Sequence, residues 1–124
     1  MKQTLKILLI EDHPDEAMAL AELLEMTGYE IKVAYDGKSA LELAISFLPD
    51  VIFLDILLPD MTGFEIAALI RGYPQLKHCK VVALTGYSHQ IALNDTKAAG
   101  FYDHLVKPIN FDEVDKLLQS LPID

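Results

Sequence analysis

The stretch VIFLDILLPD, residues 51 to 60, decides how this chain is read. Four apolar residues rich in β-branched and aromatic side chains lead into Asp55, two further leucines follow, and Pro59 closes the run. An apolar run without polar alternation is what a strand buried on both faces of a parallel sheet requires. A carboxylate at the end of such a strand calls for an explanation outside core packing.

Working outward, four more short runs are rich in β-formers: LKILLI (5–10), IKVA (31–34), KVVAL (80–84) and YDHLV (102–106). Helical periodicity fills the intervals near 14–27, 37–48, 63–71, 89–99 and 110–120. Gly28 closes the first of these helices, Asp36-Gly37 opens the second, and Pro49-Asp50 ends it. Strand and helix alternate five times, which calls for parallel pairing with right-handed crossovers and helices on both faces of one sheet. The expected fold class is α/β: a (βα)5 flavodoxin-like, doubly wound, five-stranded parallel sheet with strand order 2-1-3-4-5.

The chain of 124 residues has the length of one domain, and residues 1–124 are expected to form a single unit without an output domain. Its apolar runs are far shorter than the roughly 20 residues that span a bilayer, and acidic residues come too early for a signal peptide, so a cytoplasmic protein without membrane contact is expected. Cys79 is the only cysteine, which excludes an intrachain disulfide and a cysteine-cluster metal site and leaves a packed, inert thiol. Nineteen acidic against ten basic residues give a net charge of -9, a field that repels nucleic-acid phosphates.

Open α/β sheets bind ligands beyond the carboxyl ends of their strands, near the point where strand order reverses. Those ends carry Glu11 and Asp12 after the first strand, Asp55 after the third, Thr85 after the fourth, and Lys107 and Pro108 after the fifth. One acid at a strand end is ordinarily a turn or helix cap. Three that converge would repel one another, and a hard divalent cation with oxygen ligands, such as Mg²⁺, relieves the repulsion.

LLIED, Asp55-Ile-Leu-Leu-Pro59-Asp-Met-Thr-Gly63, ALTGY with Thr85, and LVKP with Lys107 and Pro108 stand in an order and spacing that resemble the response-regulator receiver domain of two-component signalling, over essentially the whole chain. ALTGY followed by AAGFYDHLVKPIN is similar to receivers carried by hybrid sensor histidine kinases. The resemblance implies a phosphorelay switch in which Asp55 takes a phosphoryl group from a phosphohistidine on a sensor histidine kinase or histidine phosphotransfer protein. It implies Mg²⁺ (or Mn²⁺) held by Asp12, Asp55 and the main-chain carbonyl of Leu57, with Glu11 acting through water. Lys107 and Thr85 would meet the phosphoryl oxygens, and a cis Lys107–Pro108 bond would aim the lysine inward. Such a protein is no enzyme beyond its own phosphorylation and slow dephosphorylation. Its downstream protein is unknown, and a phosphorylation-dependent homodimer stays open.

Where the family commonly has Tyr or Phe as a switch residue, three positions before the lysine, this chain has His104, with Tyr102 as a stand-in on the same strand. Leu57 and Tyr87 occupy the positions that align a hydrolytic water in fast receivers, so a long-lived phosphoryl group is expected. Pro59 and Gly63 read as turn residues, Gly63 relieving the entry to the third helix. His13, His78 and His89 show no ligand spacing and read as surface residues. The helix PDEAMALAELLEM, with Met18, carries more apolar residues than one core stripe needs, and in the family it receives the phosphodonor together with the loop after Lys107. The alternative is a receiver-fold interaction module that works without phosphorylation, against which the retention of Asp12, Asp55, Thr85 and Lys107 argues. An electron carrier would need amide donors where EDHPDE is acidic, and an aspartyl phosphatase would need an acid where Leu57 stands.

Overall fold

Each apolar run becomes a strand: β1 (Lys6–Ile10), β2 (Glu30–Ala34), β3 (Val51–Asp55), β4 (Lys80–Thr85) and β5 (Asp103–Val106). The computed structural model describes residues 4–86 and 99–121. The helices within that range are α1 (Pro14–Met26), α2 (Gly37–Phe47), α3 (Gly63–Arg71) and α4 (Phe111–Ser120), with a 3-10 turn at Pro74–Leu76. The helix expected near 89–99 falls, apart from Ala99, outside the described residues. All pairings are parallel and the order is β2-β1-β3-β4-β5.

The sheet is covered on both faces, which accounts for the unbroken apolar runs. Along β1 and β3, Ile7, Leu9, Val51 and Phe53 pack with Ala17 and Leu24 of α1 and with Val114 and Leu117 of α4. The alternate residues Leu8, Ile10, Ile52 and Leu54 pack with Ala40 and Ala44 of α2 and Ile66 and Ile70 of α3. Every residue of β3 is buried, Asp55 included. Each fully buried large apolar side chain contributes about 1.5–3 kcal/mol, so the end of this strand is among the most firmly placed points of the molecule. Cys79 packs against the same core, and burial pushes its thiol up to about 12, as befits an inert side chain.

Local chemistry sets the helix ends. Asp36 accepts from Ser39 N at 2.8 Å to start α2, and Thr62 with Glu65 forms a reciprocal capping box at α3. Gly28 takes a positive φ of 105° just past α1. Leu48, placed before Pro49, leaves the right-handed helical region for a left-handed φ of 53° and so ends α2 one residue early. No helix among the described residues is long and apolar enough to cross a membrane.

Gly63 serves a different need from the one its sequence suggests. It is the first residue of α3, with helical backbone, and its N–H donates to Ile56 O at 2.7 Å. A Cβ here would stand 2.8 Å from Ile56 Cα and 2.9 Å from Asp55 O, so glycine lets α3 press against the strand end that carries Asp55. Gly63→Ala is expected to cost about 1–3 kcal/mol in urea unfolding, the range for overpacked sites. A loss below about 0.5 kcal/mol would show that the loop yields freely and that close approach does not hold it.

Candidate functional site

Backbone pairing brings the expected residues to one edge of the sheet. Glu11 N continues the β1–β2 ladder by donating to Ala34 O at 3.0 Å. Asp55 lies opposite Leu84 and Thr85 opposite Val106, while Lys107 N donates to Thr85 O at 2.7 Å. The ladders therefore bring residues from four strand ends to one edge, where Glu11, Asp55 and Lys107 meet through their side chains. The Lys107–Pro108 peptide is cis.

Lys107 Nζ donates to Asp55 Oδ2 at 2.9 Å and also contacts Glu11 Oε1. The other Asp55 oxygen, Oδ1, accepts from Leu57 N at 3.0 Å. Glu11, Asp55 and Thr85 are the buried polar residues among those described. Burial pushes the Glu11 carboxyl above its ordinary pKa and the neighbouring Asp55 adds to this, against the opposing pull of Lys107 and His13. For Lys107, burial disfavours the ammonium, but Glu11 and then Asp55 outweigh it and hold the pKa above that of an ordinary lysine.

Ligand atoms of Glu11, Asp12, His13 and Asp55 all lie within 4.8 Å of one another. Asp12 Oδ1 is shut off from solvent and has no hydrogen-bond partner among the described residues. His13 Nδ1 stands 3.3 Å from it but bonds to Glu11 Oε2 at 3.0 Å. A buried, unpaired carboxylate oxygen costs more than the 1–3 kcal/mol of a neutral group, so an oxygen-seeking cation fits this donor set. Leu57, opposite Thr62 in an isolated bridge, is tied to the site through its N–H on Asp55 Oδ1.

The remaining expected residues are distributed around this centre. Thr85 Oγ1 donates to Leu105 O at 3.5 Å, a long bond that leaves the hydroxyl easy to redirect. His104, opposite Ala83, is half-buried and its Nδ1 has no hydrogen-bond partner among the described residues. Tyr102 N pairs with Val81 O, one strand repeat further from Thr85, and its exposed ring lies 5.8 Å from Lys80 Nζ. Pro59 is exposed in the loop after β3. Tyr87 and His89 lie outside the described residues. His78 is exposed, with Asp50 4.0 Å away.

Two contributors escaped the reading of the sequence. His13 is exposed, as a surface residue should be, yet its ring closes the acidic pocket, and the Glu11 hydrogen bond followed by the charge of Asp12 raises its pKa. Asp60 accepts from Gly37 N at 2.8 Å and Lys38 N at 3.2 Å, which holds its carboxyl below the usual range and ties the β3–α3 loop to the N-terminus of α2. Its partners are 23 and 22 residues away, at the start of the helix after β2, a strand separated from β3 by β1, so nothing local in the sequence marks them.

The model of the response regulator receiver domain family matches residues 7–119, and the chain belongs to that family. The chain is 33% identical over 114 residues to an uncharacterized 14.6 kDa protein of Leptolyngbya boryana, a match covering 92% of this chain and 87% of that one. With response regulator PleD of Caulobacter vibrioides it shares 32% identity over 105 residues, 85% of this chain but 23% of PleD. The crystallised chemotaxis response regulator CheY4 of Vibrio cholerae superposes with a TM-score of 0.85 at 32% identity, over 94% of this chain and 98% of CheY4.

The ion cluster generates a pH signature. Lys107→Met leaves Glu11 and Asp55 buried without their cation, so the Glu11 carboxyl, already above its ordinary pKa, is pushed up further. The resulting penalty is present at neutral pH and fades as pH falls toward the unfolded carboxylate range. Urea unfolding in chelator is expected to show a deficit near the lower end of about 3–5 kcal/mol at pH 7.5 that shrinks by pH 5. An equal deficit at both pH values would contradict this electrostatic account.

Proposed function

We propose that this receiver domain, a single cytoplasmic unit over residues 1–124, is a phosphorelay switch. In this reading Asp55 accepts a phosphoryl group from a phosphohistidine on a sensor histidine kinase or a histidine phosphotransfer protein, and its phosphorylation changes partner binding. The observation that carries the proposal is the double anchoring of Asp55, with one oxygen on Lys107 Nζ and the other on Leu57 N, at the end of a fully buried strand.

Asp12, Asp55 and the Leu57 carbonyl would hold Mg²⁺ (or Mn²⁺), with Glu11 acting through water; the ion would neutralise charge that otherwise keeps an anionic donor away. An Asp55 oxygen attacks phosphorus, an acyl phosphate forms, and the phosphorus–nitrogen bond breaks with its electron pair left on the donor imidazole. The transferred group is metaphosphate-like, so positioning and charge stabilisation do most of the work. Lys107 supplies a fixed cation for its oxygens. The Thr85 hydroxyl turns from Leu105 O toward the new charge, and this redistribution between two conformations is the switch. In this reading half-buried His104, one pair before Thr85 along the β4–β5 ladder, would be the side chain that moves with it. Beside Glu11 and Lys107 lies a groove of 240 Å³ lined by Leu9, Ala17, Leu20 and Leu23 on one side and Ile109 and Phe111 on the other, which supports docking of a donor there.

Incubation with a small acyl-phosphate donor and Mg²⁺ is expected to add one phosphoryl group to the intact mass, and Asp55→Asn or chelator abolishes it. No addition to the wild type from either a small donor or a phosphohistidine protein would favour the phosphorylation-independent interaction module. Leu57 is exposed beside Asp55 and offers no amide or carboxylate to align a water. The phosphorylated protein is therefore expected to persist well beyond seconds in Mg²⁺, and decay within seconds would contradict this.

A further inference from the structure

His13 gives the acidic pocket a nitrogen donor. Its Nδ1 lies 3.0 Å from Glu11 Oε2, 3.3 Å from Asp12 Oδ1 and 3.3 Å from Glu16 Oε2. The Glu11 and Asp12 separations match those between neighbouring ligands on a shared ion, about 3.0 Å for an octahedral ion with 2.1 Å bonds and about 3.3 Å for a tetrahedral one with 2.0 Å bonds, and with Asp55 these residues form the converging group, which Glu16 does not join. Glu11 divides its two oxygens, Oε1 going to Lys107 and Oε2 facing His13, so the nitrogen side of the pocket keeps a carboxylate oxygen of its own. Asp12 Oδ1, buried and without a hydrogen-bond partner among the described residues, faces the same point. The ring projects from the residue just before Pro14 and makes no capping bond to α1, so the helix does not depend on it.

We propose that His13 is a direct metal ligand and that it shifts this pocket from a purely oxygen, magnesium-type site toward transition dications such as Zn²⁺. The proposal rests on the reading of the pocket as a dication site. Mg²⁺ is indifferent to imidazole and prefers oxygen and water, whereas Zn²⁺ and its neighbours in the first transition row gain from a nitrogen ligand. Loss of His13 therefore acts selectively, weakening Zn²⁺ and sparing Mg²⁺. An imidazole that is only an ion-pair partner of Glu11, Asp12 and Glu16 would have no such selectivity, because its removal changes the electrostatics for every dication alike.

Titration calorimetry with Zn²⁺ and with Mg²⁺ on wild type, His13→Gln, His13→Ala and Asp55→Asn tests this, alongside histidine side-chain NMR during the Zn²⁺ titration. Loss of an outer partner of a metal ligand already weakens binding about 10–100-fold, so both His13 variants are expected to lose at least about tenfold in Zn²⁺ affinity. Their Mg²⁺ affinity should change less than about threefold. In the wild type the His13 ring signals move on Zn²⁺ addition, and Asp55→Asn weakens both ions. Equal effects of the His13 variants on the two ions, or Zn²⁺ binding that leaves the His13 ring unmoved, would overturn the proposal while leaving the Mg²⁺ pocket standing. Absence of binding by either ion to the wild type would overturn the pocket reading together with it.

Discussion

Lys107 reaches between two carboxylates that belong to different strands, and the working end of the sheet depends on that contact. Glu11 and Asp55 are both nearly sealed from water, and two buried anions side by side are unfavourable unless a cation stands with them. One ammonium meets both, yet it leaves an excess of negative charge once Asp12 is counted. That residual charge is the physical basis for expecting a dication. It also explains why an anionic phosphoryl donor needs one to approach.

The precision of the site comes from the sheet. Glu11, Asp55 and Lys107 extend the hydrogen-bonded ladders of β1, β3 and β5, so core packing fixes their backbones. The loop after Asp55 is held from two further directions: Gly63 admits α3 to close contact with Ile56, and Asp60 ties the loop to the first turn of α2. Near this rigid frame, Thr85 and His104 are less constrained, the first with a long hydroxyl bond and the second with a ring nitrogen unpartnered among the described residues. A switch needs that contrast between a fixed acceptor and a side chain with somewhere to go.

Much of the fold could be read from periodicity, because a strand buried on both faces must be apolar throughout and β3 shows this without interruption. Strand limits differ by a residue or so: β2 starts at Glu30, and β4 runs on to Thr85. Those shifts reflect ladder bonds made by polar residues at strand ends, which hydropathy does not register. The convergence of Glu11, Asp12, Asp55, Thr85 and Lys107 followed from the rule for strand ends together with the ordered motifs. What the sequence hid were contacts between elements distant along the chain or across a turn. Asp60 drew no reading of its own because its partners are backbone groups of another helix. His13 lacked any ligand spacing because its fellow donors are adjacent residues and a strand end rather than a helical repeat. Gly63 was noticed for the wrong reason, since a turn signal and a close-approach glycine look alike in one dimension.

Three acids share the pocket, and the account singles out Asp55 because it alone lies within a strand, the fully buried β3, where Lys107 holds one oxygen and Leu57 N the other; Glu11, bound to Lys107 and His13, stands one residue beyond β1. Borohydride reduction of the phosphorylated protein, followed by peptide sequencing, reads the acceptor directly, because an acyl phosphate is reduced to the alcohol at the residue that carried it. The account predicts homoserine at position 55, with Glu11 and Asp12 unchanged. Reduction at Glu11 or Asp12 with Asp55 intact would contradict it.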